Sequence, residues 1–383
     1  GETNLLVTSD LEPGERATGY VSYEWKGGYQ PPRQVEFLGV ELPKVEAPKR
    51  LIMALDMYNV AYKDWEDFRP GKTGEEAMVQ DLKRMGFTRI EVWGGGAKHY
   101  AEMGIEGAHS TGVAFRLDAE SPDEARAVKF DGSLSTTMMC PSYRGPAFQN
   151  HYVFDYADTA SKCASVMNMD DEGFLVSGEG PLLCFCKGCI ERWGQWLPKQ
   201  HPNLDSDISP KTFFMRAHKY PEHYEAWLKF RCDLVAERFG IVRQVFFDAV
   251  KKRGTKTTPN PEFWVFTGEE QLVGLSSMES LSKVLDYIAP MIYTNGDGIR
   301  KEIADYAPIS GGKVVFCIAP GYNINPEGDA RSQVLEAVMG GSKGFLAWNY
   351  DFGPITTGHL ADMSEAIMML APVEDIILDG KIE

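Results

Sequence analysis

The sequence predicts an α/β chain, a (β/α)8 TIM barrel preceded by a short β-rich segment. Three observations lead there. From Leu51 onward, short apolar runs alternate with amphipathic stretches eight times, an order that feeds strands into a parallel sheet through helical crossovers. The eight units extend over roughly 325 residues from Leu51, which suits a closed barrel better than an open doubly wound sheet. No G-x-G-x-x-G follows the first strand, so a dinucleotide-binding sheet loses its usual mark.

Residues 1–48 stand apart. "GYVSYEWKGG" and "RQVEFLGVELP" alternate polar and apolar residues between Gly and Pro, as strands and turns do, and "PKVEAPK" reads as a linker. This segment is expected to be the tail of a preceding β-domain, or strands packed on the barrel that covers residues 49–383. The barrel opens with the strand "RLIMALDMY". "TGEEAMVQDLKRMGF" carries apolar residues at i, i+4 and stops at a Gly, so it is a helix. Strand two is "TRIEVWGGG", and strand three falls at either "GVAFRLD" or "LSTTMMC". A helix over "AFQNHYVFDYADTASKCA" leads to strand four, "SVMNMDDEG", and a long helical region covers 183–253. Strands five to eight are "EFWVFTG", "YIAPMIYT", "KVVFCIAP" and "GFLAWNY". Between them lie "MESLSKVLD", "GIRKEIADYA" and "ARSQVLEAVMGG", and "LADMSEAIMMLA" is the last helix.

Bulk properties remove some function classes. Of 383 residues, 43% are hydrophobic and 25% charged, the balance of an ordinary globular chain. A net charge of −16 opposes a nucleic-acid partner, because phosphate binding needs a basic face. No apolar run is long enough to predict a membrane span. Seven cysteines cannot all pair within the chain. With no signal-peptide pattern and abrupt ends, the chain reads as a fragment of a longer, multidomain protein.

Such barrels carry their active sites at the C-terminal ends of the strands. Strand one ends with Asp56 and Tyr58, and strand two with Trp93. Strand four ends with Asp170, Asp171 and Glu172, and strand five with Glu269 and Glu270. Strand six ends with Tyr293, Asn295 and Asp297, and strand eight with Trp348, Asn349, Tyr350 and Asp351. Strand seven, "CIAPGYN", brings no acid. A mouth ringed by carboxylates and aromatics suits glycoside chemistry: acids donate or accept protons while aromatic faces hold sugar rings. The expected partner is therefore a carbohydrate.

Alternation puts Asp170 and Glu172 on one face, about 6–7 Å apart, with Asp171 pointing away. Two acids in one low-dielectric mouth push their pKa values apart, and Glu172, nearest the open end, is the expected general acid/base. The same acids could instead solvate the rim or cap a helix, although three exceed what a cap requires. Glu269, Glu270 or Asp351 could be the second carboxylate. Alternatively, Asp170 or Asp171 orients a substrate acetamido group that attacks its own anomeric carbon. Tyr58, Trp93, Tyr293, Trp348, Asn349 and Asp351 are candidate sugar contacts, with a core role open for the aromatics. The alternative function is a catalytically silent barrel that binds carbohydrate. A metal-dependent lyase or isomerase is disfavoured, because the strand ends offer few His/Asp/Glu combinations.

Cys184, Cys186 and Cys189 fall within six residues, and Cys140 sits in "MMCPSYRG". Four thiolates make a closed tetrahedral set for a structural Zn²⁺; reduced thiols or a disulfide are the alternatives. Cys163, Cys232 and Cys317 fit core positions. The spacing C-x43-C-x-C-x2-C, with "DGS", "CPSYRGPAF" and "CFCKGCIERWGQWL" around it, resembles the zinc-containing β-galactosidases of glycoside hydrolase family 42. The resemblance covers residues 130–200, and "LAWNY" loosely. It implies a (β/α)8 catalytic domain, zinc on Cys140, Cys184, Cys186 and Cys189, and an Asn-Glu pair at the end of strand four. Glu172 matches that glutamate, and Asp171 stands where the asparagine would. The chain diverges there, and again in "VVFCIAPGYN", which lacks the family's strand-seven nucleophile. An Asp-Glu pair is similar to that of substrate-assisted hexosaminidases. The expected activity is glycoside hydrolysis, β-galactosidase-like or hexosaminidase-like. A β-segment joined to such a barrel leans toward a secreted protein, extracellular or periplasmic.

Overall fold

The computed structural model describes residues 11–25, 28–39, 44–56, 72–93, 96–171, 183–254, 260–267, 277–292, 297–318, 330–348 and 357–380. Strands β1 (Arg16–Trp25) and β2 (Gly28–Leu38) pair antiparallel as a hairpin of their own, and no residue of β2 is fully buried. The barrel starts with β3 (Ile52–Asp56), whose five residues are all buried. Parallel strands covered on both faces read as unbroken apolar runs, which is why "IMALD" shows no alternation. Helix α1 (Lys72–Arg84) turns Val79 and Leu82 inward. It stops at Gly86, whose φ of 90° lets the Phe87 N–H donate back to the Leu82 carbonyl at 3.0 Å.

Next come β4 (Arg89–Trp93), α2 (Gly96–Glu102) and β5 (Glu106–Val113). β5 is the third barrel strand, so neither expected position holds. "GVAFRLD" contributes only its first two residues to it. "LSTTMMC" instead supplies β7 (Leu134–Met139), which pairs antiparallel with β6 (Arg126–Val128) in a hairpin inserted after β5. The true strand, "EGAHSTGV", escapes an apolar-run search because packing demands small residues. A Cβ on Gly107 would lie 1.9 Å from the Ala97 carbonyl oxygen of α2.

A π-helical stretch, Phe148–Tyr156, then runs into α3 (Ala157–Cys163), where one uniform helix was expected. β8 (Val166–Asp170) is strand four. The helical region beyond it resolves into α4 (Lys187–Gln200), α5 (Pro210–Met215) and the 33-residue α6 (Pro221–Arg253). α6 begins with Pro at its first position and ends at Gly254, left-handed with φ 68°. The remaining units are β9 (Glu262–Thr267), α7 (Met278–Ser282), β10 (Tyr287–Pro290), α8 (Asp297–Ile309) and β11 (Phe316–Ile318). Last come α9 (Ala330–Met339), β12 (Gly344–Ala347), α10 (Thr357–Leu370) and α11 (Glu374–Asp379).

The eight barrel strands run parallel in the order β10-β9-β8-β5-β4-β3-β12-β11. The ring closes where the Ile288 N–H donates to Lys313 O at 2.8 Å and the Val315 N–H donates to Ile288 O at 2.9 Å. Ile52, Ala54, Ala108, Val166, Trp264 and Phe266 are among the side chains that fill the interior. The outer faces of the strands pack on the helices in two larger clusters. The architecture is a (β/α)8 barrel with a β-rich segment before it. Among the described residues, no helix is long and apolar enough to cross a membrane.

Candidate active site and metal centre

Inward-facing residues of the strands build a polar column inside the barrel. At its base Arg89, 3% exposed, bonds Glu106 at 2.5 Å and Glu262 at 2.8 Å, and its guanidinium lies 4.5 Å from the Trp264 ring centroid. Burial alone would lower the arginine's pKa, but the two carboxylates outweigh it and the net shift is upward. Glu106 pairs in register with Arg89 at the start of both strands, so this triad is a floor.

One layer higher the column carries further carboxyls. Ile90 and Val92 belong to the outer core, so Glu91 faces inward. It is fully buried, and among the described residues neither carboxylate oxygen has a hydrogen-bond partner. Burial pushes Glu91 up to about 7, against the opposing influence of Arg89 and the neighbouring Asn168 side chain. Alternation from Ile52 and Ala54 brings Asp56, 1% exposed, to the same face, in register with Glu91. Ser110 follows Ala108 there, and Asn168 follows Val166. Nothing in a list of terminal strand residues flags Glu91 or Asn168. The available signal was a polar residue alternating within otherwise apolar strands, "RIEVW" and "VMNMD".

At the end of β8, Asp170 pairs in register with Phe266 of the interior and is half-buried. Asp171 differs. Met167 and Met169 belong to the outer core, and Asp171 continues that face, 4% exposed, with its N–H donating to Phe266 O at 2.8 Å. Burial first, then the charge of Asp170, hold its carboxyl well above the ordinary carboxylate range, while Arg238 of α6 opposes them. Trp348 is half-buried against the interior cluster, its N–H donating to Ile318 O at 2.7 Å. Trp93 ends β4. Tyr58, Glu172, Glu269, Tyr293, Asn349 and Asp351 lie outside the described residues.

The four cysteines are brought together. Their Sγ atoms all lie within 4.8 Å of one another. Cys140 follows β7. Cys184 accepts the Val128 N–H at 3.1 Å, and Cys186 caps the start of α4 by accepting the Cys189 N–H at 3.3 Å. Cys140 is 3.3 Å from Cys186, 3.6 Å from Cys184 and 3.7 Å from Cys189. No disulfide forms, the bond requiring about 2.0 Å. Four sulfurs at about 2.3 Å from a tetrahedral Zn²⁺ would be about 3.8 Å apart, so the set fits that ion. Ser142 Oγ, 3.2 Å from Cys140 and 3.1 Å from Cys189, joins the rim. The centre ties the excursion after strand three to the one after strand four, where the Phe185 N–H also donates to Val128 O at 2.8 Å.

No known family profile matches the chain, and no curated protein matches it. Solved structures do. The β-galactosidase from Bacillus circulans sp. alkalophilus matches with a TM-score of 0.58 and 12% identity, over 86% of this chain and 57% of that one. The β-galactosidase of the psychrophilic Marinomonas ef1 gives 0.52 and 8%, over 86% and 60%. A GH42 β-galactosidase from G. stearothermophilus gives 0.51 and 12%, over 86% and 58%. The chain thus spans less than two thirds of the length of each. At these identities the likeness is one of fold, and the class it defines is the (β/α)8 barrel.

Proposed function

We propose that the chain is the barrel of a glycoside hydrolase with Glu172 as general acid/base. The observation that carries this reading is the column of inward acids, Asp56, Glu91 and Asp170, in a barrel folded like β-galactosidases. Glu172 lies two residues beyond Asp170 in the sequence, a spacing that would give it the same face if the strand's alternation continued. Its carboxyl gives a proton to the departing glycosidic oxygen. The resulting carboxylate then takes a proton from the water that attacks the anomeric carbon.

"CIAPGYN" offers no carboxylate, so the second role falls to Glu269 or to an acetamido oxygen of the substrate. Asp170, on the inner side, is the group that would orient such an acetamido. Asp171 sits behind the strand toward Arg238 and in this reading steadies the strand end. Tyr58, Trp93, Tyr293, Trp348, Asn349 and Asp351 form the walls of the sugar site. Cys140, Cys184, Cys186 and Cys189 would hold a structural Zn²⁺, a closed site that supplies no open position for substrate. Metal analysis of the purified chain should find about one zinc per chain; a metal-free protein with reduced cysteines refutes that assignment.

Nitrophenyl galactosides and N-acetylhexosaminides test the activity. Turnover of one class is expected, with Glu172→Gln lowering kcat by about 10²–10⁴-fold in a folded protein. Unchanged turnover in that variant removes Glu172 from the role. Carbohydrate binding without turnover on any glycoside would make the chain a silent binding barrel.

A further inference from the structure

The excursion after strand three forms a cleft of its own. It encloses about 530 Å³ between residues 116–121 and the start of the π-helical stretch at Phe148, a size within the range of small-ligand sites. The buried Arg126 holds the first wall in place. Its Nη2 donates to the carbonyls of Asp118 at 2.9 Å, Ala119 at 3.2 Å and Ser121 at 2.9 Å, and its Nη1 to that of Thr136 at 2.8 Å. The Tyr152 hydroxyl donates to the Arg116 carbonyl and so ties the second wall to the first. The chain enters the loop through Phe115 at φ 59°, a conformation rare for an aromatic residue and concentrated at functional sites, where π-helical turns gather too. The Ala114 N–H donates to the Asp170 carbonyl at 2.7 Å. Arg116, two residues further on, therefore starts no more than about 10 Å from the end of strand four.

The lining combines donors, acceptors and a little apolar surface. Arg116 and Asn150 are exposed and offer N–H groups, His151 offers its ring nitrogens, and the Asp118 carboxylate accepts. Ser121 Oγ donates to Asp118 Oδ1 at 2.6 Å, which fixes that carboxylate's direction. Asp118 and Glu120 set against Arg116 leave no large excess of either charge, which suits a neutral ligand better than a phosphate or an amine. Leu117 and Ala147, both half-buried, give the C–H face of a ring something to pack on. We propose that this cleft is a distal subsite for one sugar unit of a neutral oligosaccharide whose scissile bond lies at the strand-four acids. The link to turnover rests on reading the barrel as a glycoside hydrolase, whereas binding in the cleft does not. Contacts so far from the scissile bond favour long substrates over short ones in kcat/KM.

The test compares substrate lengths on the full chain. Nitrophenyl galactoside and N-acetylhexosaminide are set against nitrophenyl galactotetraose and chitotetraose. The tetrasaccharide of the preferred sugar should give the higher kcat/KM. Arg116→Ala combined with Asn150→Ala should lower the tetrasaccharide value about 10–100-fold relative to the monosaccharide value. Equal kcat/KM at both lengths in wild type overturns the proposal and leaves the hydrolase reading standing, as does a folded variant that changes both substrates by one factor. Absence of turnover at either length removes the hydrolase reading instead, and hydrogen exchange on wild type then decides the cleft, as it does should the variant not fold. Saturating galactotetraose or chitotetraose should slow amide exchange across residues 116–121 and 148–152, with no matching change for the monosaccharides. If neither tetrasaccharide protects those segments, the cleft binds no sugar and the proposal falls.

Discussion

Glu91 is a buried carboxyl without a hydrogen-bond partner among the described residues, and its protonation has a measurable consequence. Its folded pKa, about 7, lies above the ordinary 4.5, so the folded protein holds a proton that the unfolded chain has released between those values. The stability contribution is therefore full below about 4.5 and is lost as pH rises through about 7. The loss is on the order of 3 kcal/mol. Glu91→Gln keeps the shape and removes the charge. Its urea midpoint, compared with wild type, should rise progressively between pH ~4.5 and ~8; parallel pH profiles for the two proteins would contradict this account. At this scale the sequence was legible where acids cluster after a strand, as at Asp170 and Asp171. It was opaque where one polar residue sits inside a strand, because Glu91 and Asn168 become neighbours only once β4 and β8 curl into one ring.

Among the elements, legibility followed burial. Strands covered on both faces, such as β3, β9 and β12, are apolar runs that cannot be mistaken. β5 was missed because α2 presses so closely on it that Gly107 and Ala108 replace bulky residues. The stop of α1 is a local matter of backbone geometry, and it yields a prediction. Gly86 has φ 90°, and a Cβ there would lie 2.7 Å from Ile367 Cγ2 of α10. Gly86→Ala should cost about 1–2 kcal/mol or more in urea unfolding, and an unchanged midpoint would count against the described helix end. The start of α4 is the opposite case. Cys186 occupies a cap position where Ser, Thr, Asp or Asn prevail, and its approach to three other sulfurs accounts for that choice.

Across the whole molecule, the eightfold alternation was enough to name the barrel, and the cysteine spacing foretold a cluster that does assemble. What spacing alone does not convey is how the cluster meets α6, a helix of about 50 Å whose buried Arg238 donates to the Cys140 carbonyl. The ion triad of Arg89, Glu106 and Glu262 closes the barrel at the end opposite those loops. Among the described residues, that floor leaves Asp56 and Glu91 to be approached from the other end of the strands. In the proposed hydrolase, a spent product would have to retreat along the route by which the substrate arrived, and lingering there would obstruct the next arrival.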